Sequence, residues 1–525
     1  MDSVAGTEPD AFASYLQQIS RLFQAIPGSN IFLRYVRSSY QNDPFRTLLE
    51  LVLFGFALRT ILQNRSRSAR SNFVELSRKD TDYIVKEFEP EPLSVPLTPA
   101  ELDDLHGVAQ IVGKSTAHVR VAAPWLSGTQ PRTVLNLASF NFTGLLDAPE
   151  MTQQALHILR EYGVGSCSPP GFYGTSDMLM HLEQRVAKFA RKPAAIVYSQ
   201  GYSTISGVIP AFCKRGDIVV ADSALNFAAQ KGIQLSRSDV HWFDHNDMDS
   251  LETVLHCVVQ EQNARKGPLR RRFIITEGNF ETDGTVPDLA RIVALKKRYK
   301  FRFLLDESYS IGVLGATGRG TTELCGVDPA DIDFVVGNFA TSFGAGGGFA
   351  AASVEAVKHQ RINGLSFVFS AAMPVMLTNG STVAMNKIDA GLDVFARLAE
   401  NVRIFRSVLD KVQTIYIPSH PASPTIHIQV KPKYAAPDAR EPEHDLSAEE
   451  QTSLLRVIAR DATQNGVFLC PTRRLRSINV EVNDRGVFAR PSLRLCITAS
   501  HTPQEATHAA DIVRASIARG LAQRS

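Results

Sequence analysis

Short apolar runs alternate with helix-length segments from about residue 131 onward. The stretches 194–198, 217–220, 273–276, 301–305 and 333–336 are near-continuous in Val, Ile, Leu, Phe and Ala. Strands covered on both faces read this way, whereas strands wetted on one face alternate apolar with polar. Helical crossovers between such runs predict an α/β fold built on a mostly parallel sheet. Beyond about residue 375 the texture changes to a long helical stretch over 375–412, a strand over 425–430 and a polar loop over 434–450. A last strand, 493–498, precedes Thr502-Pro503-Gln504-Glu505. That tetrad is a capping box with proline at the first helical position, so it predicts a terminal helix.

These patterns divide the chain into five parts. Residues 1–44 hold an amphipathic stretch, 12–26, of a kind that lies on membrane surfaces. Residues 45–63 form an apolar helix and 64–130 a linker and arm, in which the prolines of Glu89-Pro90-Glu91-Pro92 exclude helix and sheet. A large α/β domain covers 131–374, and a small α+β domain covers 375–525. The apolar helix reads FRTLLELVLFGFALRTIL over 45–62, with Arg46, Glu50 and Arg59 towards its ends. A membrane span needs about 18 or more apolar residues without charges, so the pattern fits a membrane helix or an interfacial or core helix. Arg65, Arg67, Arg70, Arg78 and Lys79 follow it, outnumbering Arg34, Arg37 and Arg46 before it. In a spanning reading the bulk of the chain is then cytosolic. No cleavable signal is expected, because 1–44 is too polar and too long.

Composition narrows the function classes. The 525 residues allow a large core, and a net charge of +3 gives no reason to expect a nucleic-acid partner. Six cysteines lack Cys-x-x-Cys spacing, which predicts reduced thiols and neither a disulfide framework nor a metal site.

Candidate chemistry collects after strands. Asp306 ends the run 301–305, where ligands of α/β sheets sit. Gly201 and Tyr202 open a helix after 194–198, and free amides at a helix start suit a phosphate. Phe227 follows the strand at 217–220 and can stack but cannot exchange a proton. Residues 337–348, Gly-Asn-Phe-Ala-Thr-Ser-Phe-Gly-Ala-Gly-Gly-Gly, form a glycine cluster that admits close backbone approach. Residues 163–175 carry Gly-x-Cys-x-Pro-x-Gly-Phe-Tyr-Gly-Thr from Gly165, with Cys167, Phe172, Tyr173 and Gly174. No histidine stands beside Cys167 in sequence to activate it, so it reads as a packed interface thiol.

From about residue 71 onward these motifs resemble the α-oxoamine synthases. Ala340-Thr341-Ser342-Phe343-Gly344 is similar to their Thr-Lys-Ser-Phe-Gly, with Thr341 in place of the lysine that binds pyridoxal phosphate (PLP). The resemblance implies the fold of type I PLP-dependent transferases and places Asp306 at the pyridine nitrogen. It also implies a phosphate turn at Gly201 and Tyr202 and a substrate-carboxylate site at Arg494. Phe227 stands for a stacking histidine, and Tyr309 for the histidine of Asp-Glu-Ala-His-Ser. The loop at 163–175 resembles the lysine-less subunits of the members that condense L-serine with palmitoyl-CoA. That likeness implies no catalysis by this chain in isolation, with PLP bound covalently by a homologous lysine-bearing partner. Cys167, Phe172, Tyr173 and Gly174 would then face the partner's active site. It further implies an anchor in the endoplasmic reticulum membrane, a small activating subunit and Orm-family regulators. Two other readings stay open: a homodimeric synthase using another lysine, such as Lys358, and a membrane scaffold that adds nothing to an active site.

Overall fold

A computed structural model describes residues 29–68, 76–90, 96–128, 130–265, 269–391, 393–431, 446–472 and 490–522. The expected amphipathic stretch at 12–26 and most of the polar loop at 434–450 lie outside them. The described residues fall into two compact units, divided between Pro96 and Leu97.

In the first unit the helix Ser29–Asn42 is followed by Pro44–Ser68. The second helix exposes Phe45, Leu48, Leu49, Val52, Leu53, Phe54, Phe56, Ile61 and Leu62. Its apolar run is punctuated by charge at Arg46, Glu50 and Arg59 and ends at Gln63. No helix among the described residues is long and apolar enough to cross a membrane. The expected membrane span therefore exists as a helix but falls short of a crossing. Arg46 and Glu50 pair with each other at 3.0 Å, one turn apart.

The second unit is organised by a seven-stranded sheet. Its strands are β1 (Ala194–Tyr198), β2 (Ile218–Asp222), β3 (Asp239–Phe243), β4 (Arg272–Glu277), β5 (Arg302–Asp306), β6 (Phe334–Asn338) and β7 (Gly348–Ala352). They lie in the order β1-β7-β6-β5-β4-β2-β3. All neighbours are parallel except β7, which runs against both β1 and β6. Successive residues point to opposite faces. Val219 and Ala221 join one core layer, with Ile205, Val208, Ile209 and Ile233 from the helices Gly201–Phe212 and Phe227–Ser236. Ile218 and Val220 join the other, with Leu251, Leu255, Leu289 and Ile292. Coverage on both faces explains the unbroken apolar runs.

Two strands of this sheet escaped the apolar pattern. β3 is an edge strand with a half-polar sequence. β7 is Gly-Phe-Ala-Ala-Ala, and glycine and alanine carry little strand signal. Phe349 lies opposite Gly337, where any Cβ would stand 2.3 Å from its ring. The helix expected over 375–412 is two helices, Val375–Asp389 and Val394–Leu409, because Gly391 turns left-handed at φ 83°. The later helix packs with Ala448–Gln464 and Pro503–Ala522 around strands Thr425–Val430 and Leu493–Cys496. Strand His118–Ala122, from the stretch expected as an arm, pairs with Arg132–Asn136 and folds with this second unit.

Two glycine substitutions should move stability in opposite directions. A Cβ on Gly348 would meet Thr204 Oγ1 at 2.5 Å and the Gly337 carbonyl at 2.8 Å. Gly348→Ala should cost about 1–3 kcal/mol by overpacking. Gly380 sits inside a helix, and a Cβ added there would find its nearest foreign atom 3.7 Å away. Gly380→Ala should gain about 0.5–1 kcal/mol. Urea denaturation of the full chain reads both.

Candidate functional site

Three neighbouring strands end in acids: β2 in Asp222, β4 in Glu277 and β5 in Asp306. Glu277 and Asp306 are direct register partners, so two buried carboxyls stand side by side. Asn226 joins them. Its backbone N–H donates to Glu277 Oε1 at 2.6 Å, and its Nδ2 donates to Asp306 Oδ2 at 2.9 Å. Its own Oδ1 caps the helix Phe227–Ser236 by accepting from Ala229 N at 2.9 Å. Glu277 Oε2 accepts from Glu281 N at 3.0 Å. Burial first, then the neighbouring Asp306 charge, pushes the Glu277 carboxyl well up. Burial also raises Asp306, against donors from Ser308 and Asn226. Each carboxyl disfavours the other's charge, which adds to burial in raising Glu277.

Thr341 belongs to a short helix, Phe339–Ser342, capped by the Asn338 side chain. It is buried, and its hydroxyl donates to the Ser308 carbonyl at 2.8 Å. Ser308 in turn donates to Asp306 Oδ1, from its N–H at 3.0 Å and from its hydroxyl at 2.5 Å. Gly201 starts its helix with no side-chain cap, and Asn338 fills the space beside it, 2.8 Å from where a Cβ would stand. Tyr202 and Phe227 face each other with ring centroids 6.4 Å apart. Lys231 Nζ lies 5.1 Å from the Phe227 ring centroid and donates to Gln234.

Arg494 and Tyr309 join a second cluster. The Arg494 guanidinium lies over Phe140 at 4.6 Å, and its Nη1 is 3.5 Å from Glu281 Oε1. Tyr309 packs edge-on against Phe140 at 5.3 Å. Burial, then the Glu281 charge, pushes its phenol well up, so it stays a donor to Glu281. The arginine expected to hold a substrate carboxylate is thus paired with a carboxylate of its own chain.

Cys167, Phe172 and Tyr173 are exposed on one loop, whereas Gly174, expected to face a partner, is buried against the Ser168 and Pro169 carbonyls. Cys167 is exposed and left-handed at φ 51°. Tyr173 is 94% exposed, and Phe172 is exposed beside it. The loop is nonetheless ordered around Ser168, whose hydroxyl accepts from Tyr173 N at 3.2 Å and whose carbonyl accepts from Ala372 N at 3.0 Å. Any Cβ on Gly174 would fall 2.0 Å from that carbonyl. Sequence reasoning passed over Asn226, Glu277, Glu281 and Ser308 as site residues. The repeated strand-end acid was the signal that could have found Glu277.

Type I PLP enzymes need an amine for the aldehyde and an open carboxylate for the ring nitrogen. The residues gathered here do not fit that group: Thr341 offers a hydroxyl already donated to Ser308, and both oxygens of Asp306 carry donors. No His/Cys/Asp/Glu group among the described residues could hold a metal.

A third cluster steadies the β2 end. His245 Nδ1 is 2.8 Å from Asp222 Oδ1, and its Nε2 is 3.0 Å from Asp283 Oδ2. Burial opposes the imidazolium, but the bonds to Asp222 and then Asp283 outweigh it and raise its pKa to about 10. The raised folded value makes this stabilisation complete below about 6.5, the ordinary histidine value. It is lost as pH climbs towards about 10, with a limiting slope of about 1.4 kcal/mol per unit. Denaturation at about pH 7 and about pH 9 should therefore show a loss in the native chain and a flatter profile in His245→Gln.

The aminotransferase class I and II family profile matches residues 132–513. Serine palmitoyltransferase 1 of Dictyostelium discoideum is 34% identical over 86% of this chain and 90% of its own length. Serine palmitoyltransferase 1 of Saccharomyces cerevisiae is 31% identical over 94% and 92%. Long chain base biosynthesis protein 1b of Oryza sativa is 34% identical over 87% and 89%. Among solved structures, Sphingomonas wittichii serine palmitoyltransferase superposes with a TM-score of 0.67 at 19% identity, over 85% of this chain and 99% of that one. An 8-amino-7-oxononanoate synthase from Francisella tularensis gives 0.57 at 18%, over 74% and 98%. A third structure, of SPT with a PLP internal aldimine, gives 0.67 at 20%, over 80% and 96%. These likenesses place the fold in the type I PLP-dependent class.

Proposed function

The chain belongs to the aminotransferase class I and II family, among the serine palmitoyltransferase 1 relatives, and from that premise we propose that it is a subunit of serine palmitoyltransferase. The complex condenses L-serine with palmitoyl-CoA, releasing CO2 and CoA, to give 3-ketodihydrosphinganine, the first step of sphingolipid synthesis. In this reading a homologous lysine-bearing partner binds PLP covalently, and this chain does not. The observation that carries the division of labour is Thr341, locked onto Ser308 where a coenzyme amine belongs.

This chain contributes a surface. The loop around Ser168 presents Phe172 and Tyr173 outward, with Cys167 exposed beside them, and such exposed aromatics suit an interface. The apolar helix Pro44–Ser68 associates with the endoplasmic reticulum membrane, the bulk of the chain being cytosolic. Pairing of Arg46 with Glu50 lowers the cost of bringing both charges near lipid. A small activating subunit and Orm-family regulators complete the expected assembly. Kinship with the serine palmitoyltransferase 1 chains disfavours a pure scaffold.

Co-expression with a lysine-bearing homologue should give a stoichiometric pair that makes 3-ketodihydrosphinganine, while this chain alone makes none. Tyr173→Ala should lower the activity of the assembled pair at least tenfold; full activity with assembly intact would return the reading to a scaffold. An imine absorbance from this chain alone with PLP would point instead to Lys231, Lys358 or another lysine. Leu53→Asp with Phe56→Asp should move the chain from the membrane pellet to the supernatant, and an unchanged pellet would remove this helix as the anchor.

A further inference from the structure

Loss of an amine explains why a chain cannot tether an aldehyde, but it does not explain why the ring itself should be kept out. The geometry around Asp306 addresses that second question. Its Oδ1 accepts two donors from one residue, the Ser308 N–H at 3.0 Å and the Ser308 hydroxyl at 2.5 Å. Its Oδ2 accepts Asn226 Nδ2 at 2.9 Å. A carboxylate offers about four lone-pair sites, so about three are spent inside the chain. Asn226 cannot swing away cheaply, because its N–H is committed to Glu277 and its Oδ1 to the helix start at Ala229. Ser308 is pinned as well, since its carbonyl accepts the Thr341 hydroxyl.

We propose that Ser308 is a specificity-determining residue at the Asp306 strand end: its hydroxyl, with its own N–H, spends both acceptor positions of Oδ1 and leaves that oxygen none for a protonated pyridine nitrogen, so the site disfavours pyridoxal-type ligands even without regard to the missing amine. This assignment rests on the reading that the chain does not hold the coenzyme. A neutral hydroxyl satisfies the buried carboxylate locally, and no ligand cation is then required to balance it. Removing the hydroxyl alone leaves the backbone N–H in place and reopens one lone pair on Oδ1. Threonine at 308 keeps the donor, whereas alanine and glycine remove it.

The test uses the full-length chain purified in detergent and pyridoxamine 5′-phosphate, which carries the same ring and phosphate but needs no protein amine. Fluorescence titration should show no saturable binding to the native chain or to Ser308→Thr. Ser308→Ala should bind at least tenfold more tightly, equivalent to about 1.4 kcal/mol, with Ser308→Gly as the second variant should the alanine protein not fold. In a Thr341→Lys background, PLP should give an imine absorbance only when Ser308→Ala is also present. Equal affinity of native and Ser308→Ala chains with unchanged melting, or an imine in Thr341→Lys alone, would overturn the assignment of Ser308. An imine from the native chain would instead overturn the proposed division of labour, so the two failures are distinguishable.

Discussion

Two carboxyls, Glu277 and Asp306, stand in register at the ends of adjacent parallel strands, both buried. Buried like charges at neighbouring positions are tolerable only when one keeps its proton and the other is richly hydrogen-bonded. The surrounding structure supplies hydrogen-bond donors to both acids. Asn226 touches each acid and caps the next helix, while Ser308 gives two donors to Asp306 and its carbonyl to Thr341. Helix start, strand end and glycine turn are thereby tied into one hydrogen-bonded unit.

The same economy appears at Arg494. In a site open to substrate, a buried guanidinium with no partner would be costly, and a substrate carboxylate could supply the balance. Here Glu281, with Tyr309 donating to it, supplies that balance from within the chain. Both charged ends of the expected pocket are therefore satisfied internally. Such a chain keeps the architecture of its family without depending on a bound group to neutralise its interior. Its distinctive surface lies elsewhere, in the loop that exposes Phe172 and Tyr173.

Much of the core was legible because burial on both faces leaves a plain mark. The runs ending near Tyr198, Asp222, Glu277, Asp306 and Asn338 are all sheet strands. β7 was hidden because alanine and glycine carry little strand signal. The split at Gly391 was hidden because a single left-handed glycine interrupts an otherwise helical pattern. In the N-terminal helix, apolar density suggested a span, yet the charges at Arg46, Glu50 and Arg59 leave no helix among the described residues that crosses.

Within the site, local sequence alone established which chemical groups are present: a hydroxyl and no amine at Thr341, a ring without a titratable nitrogen at Phe227, an acid at Asp306. Those are properties of side chains and need no fold. Tertiary structure alone decided what each group spends itself on. Glu277 lies 29 positions before Asp306, Glu281 lies 213 before Arg494, and Ser308 lies 33 before Thr341. Hydrogen-bond commitments between residues so far apart follow from strand order and register, which no local pattern encodes.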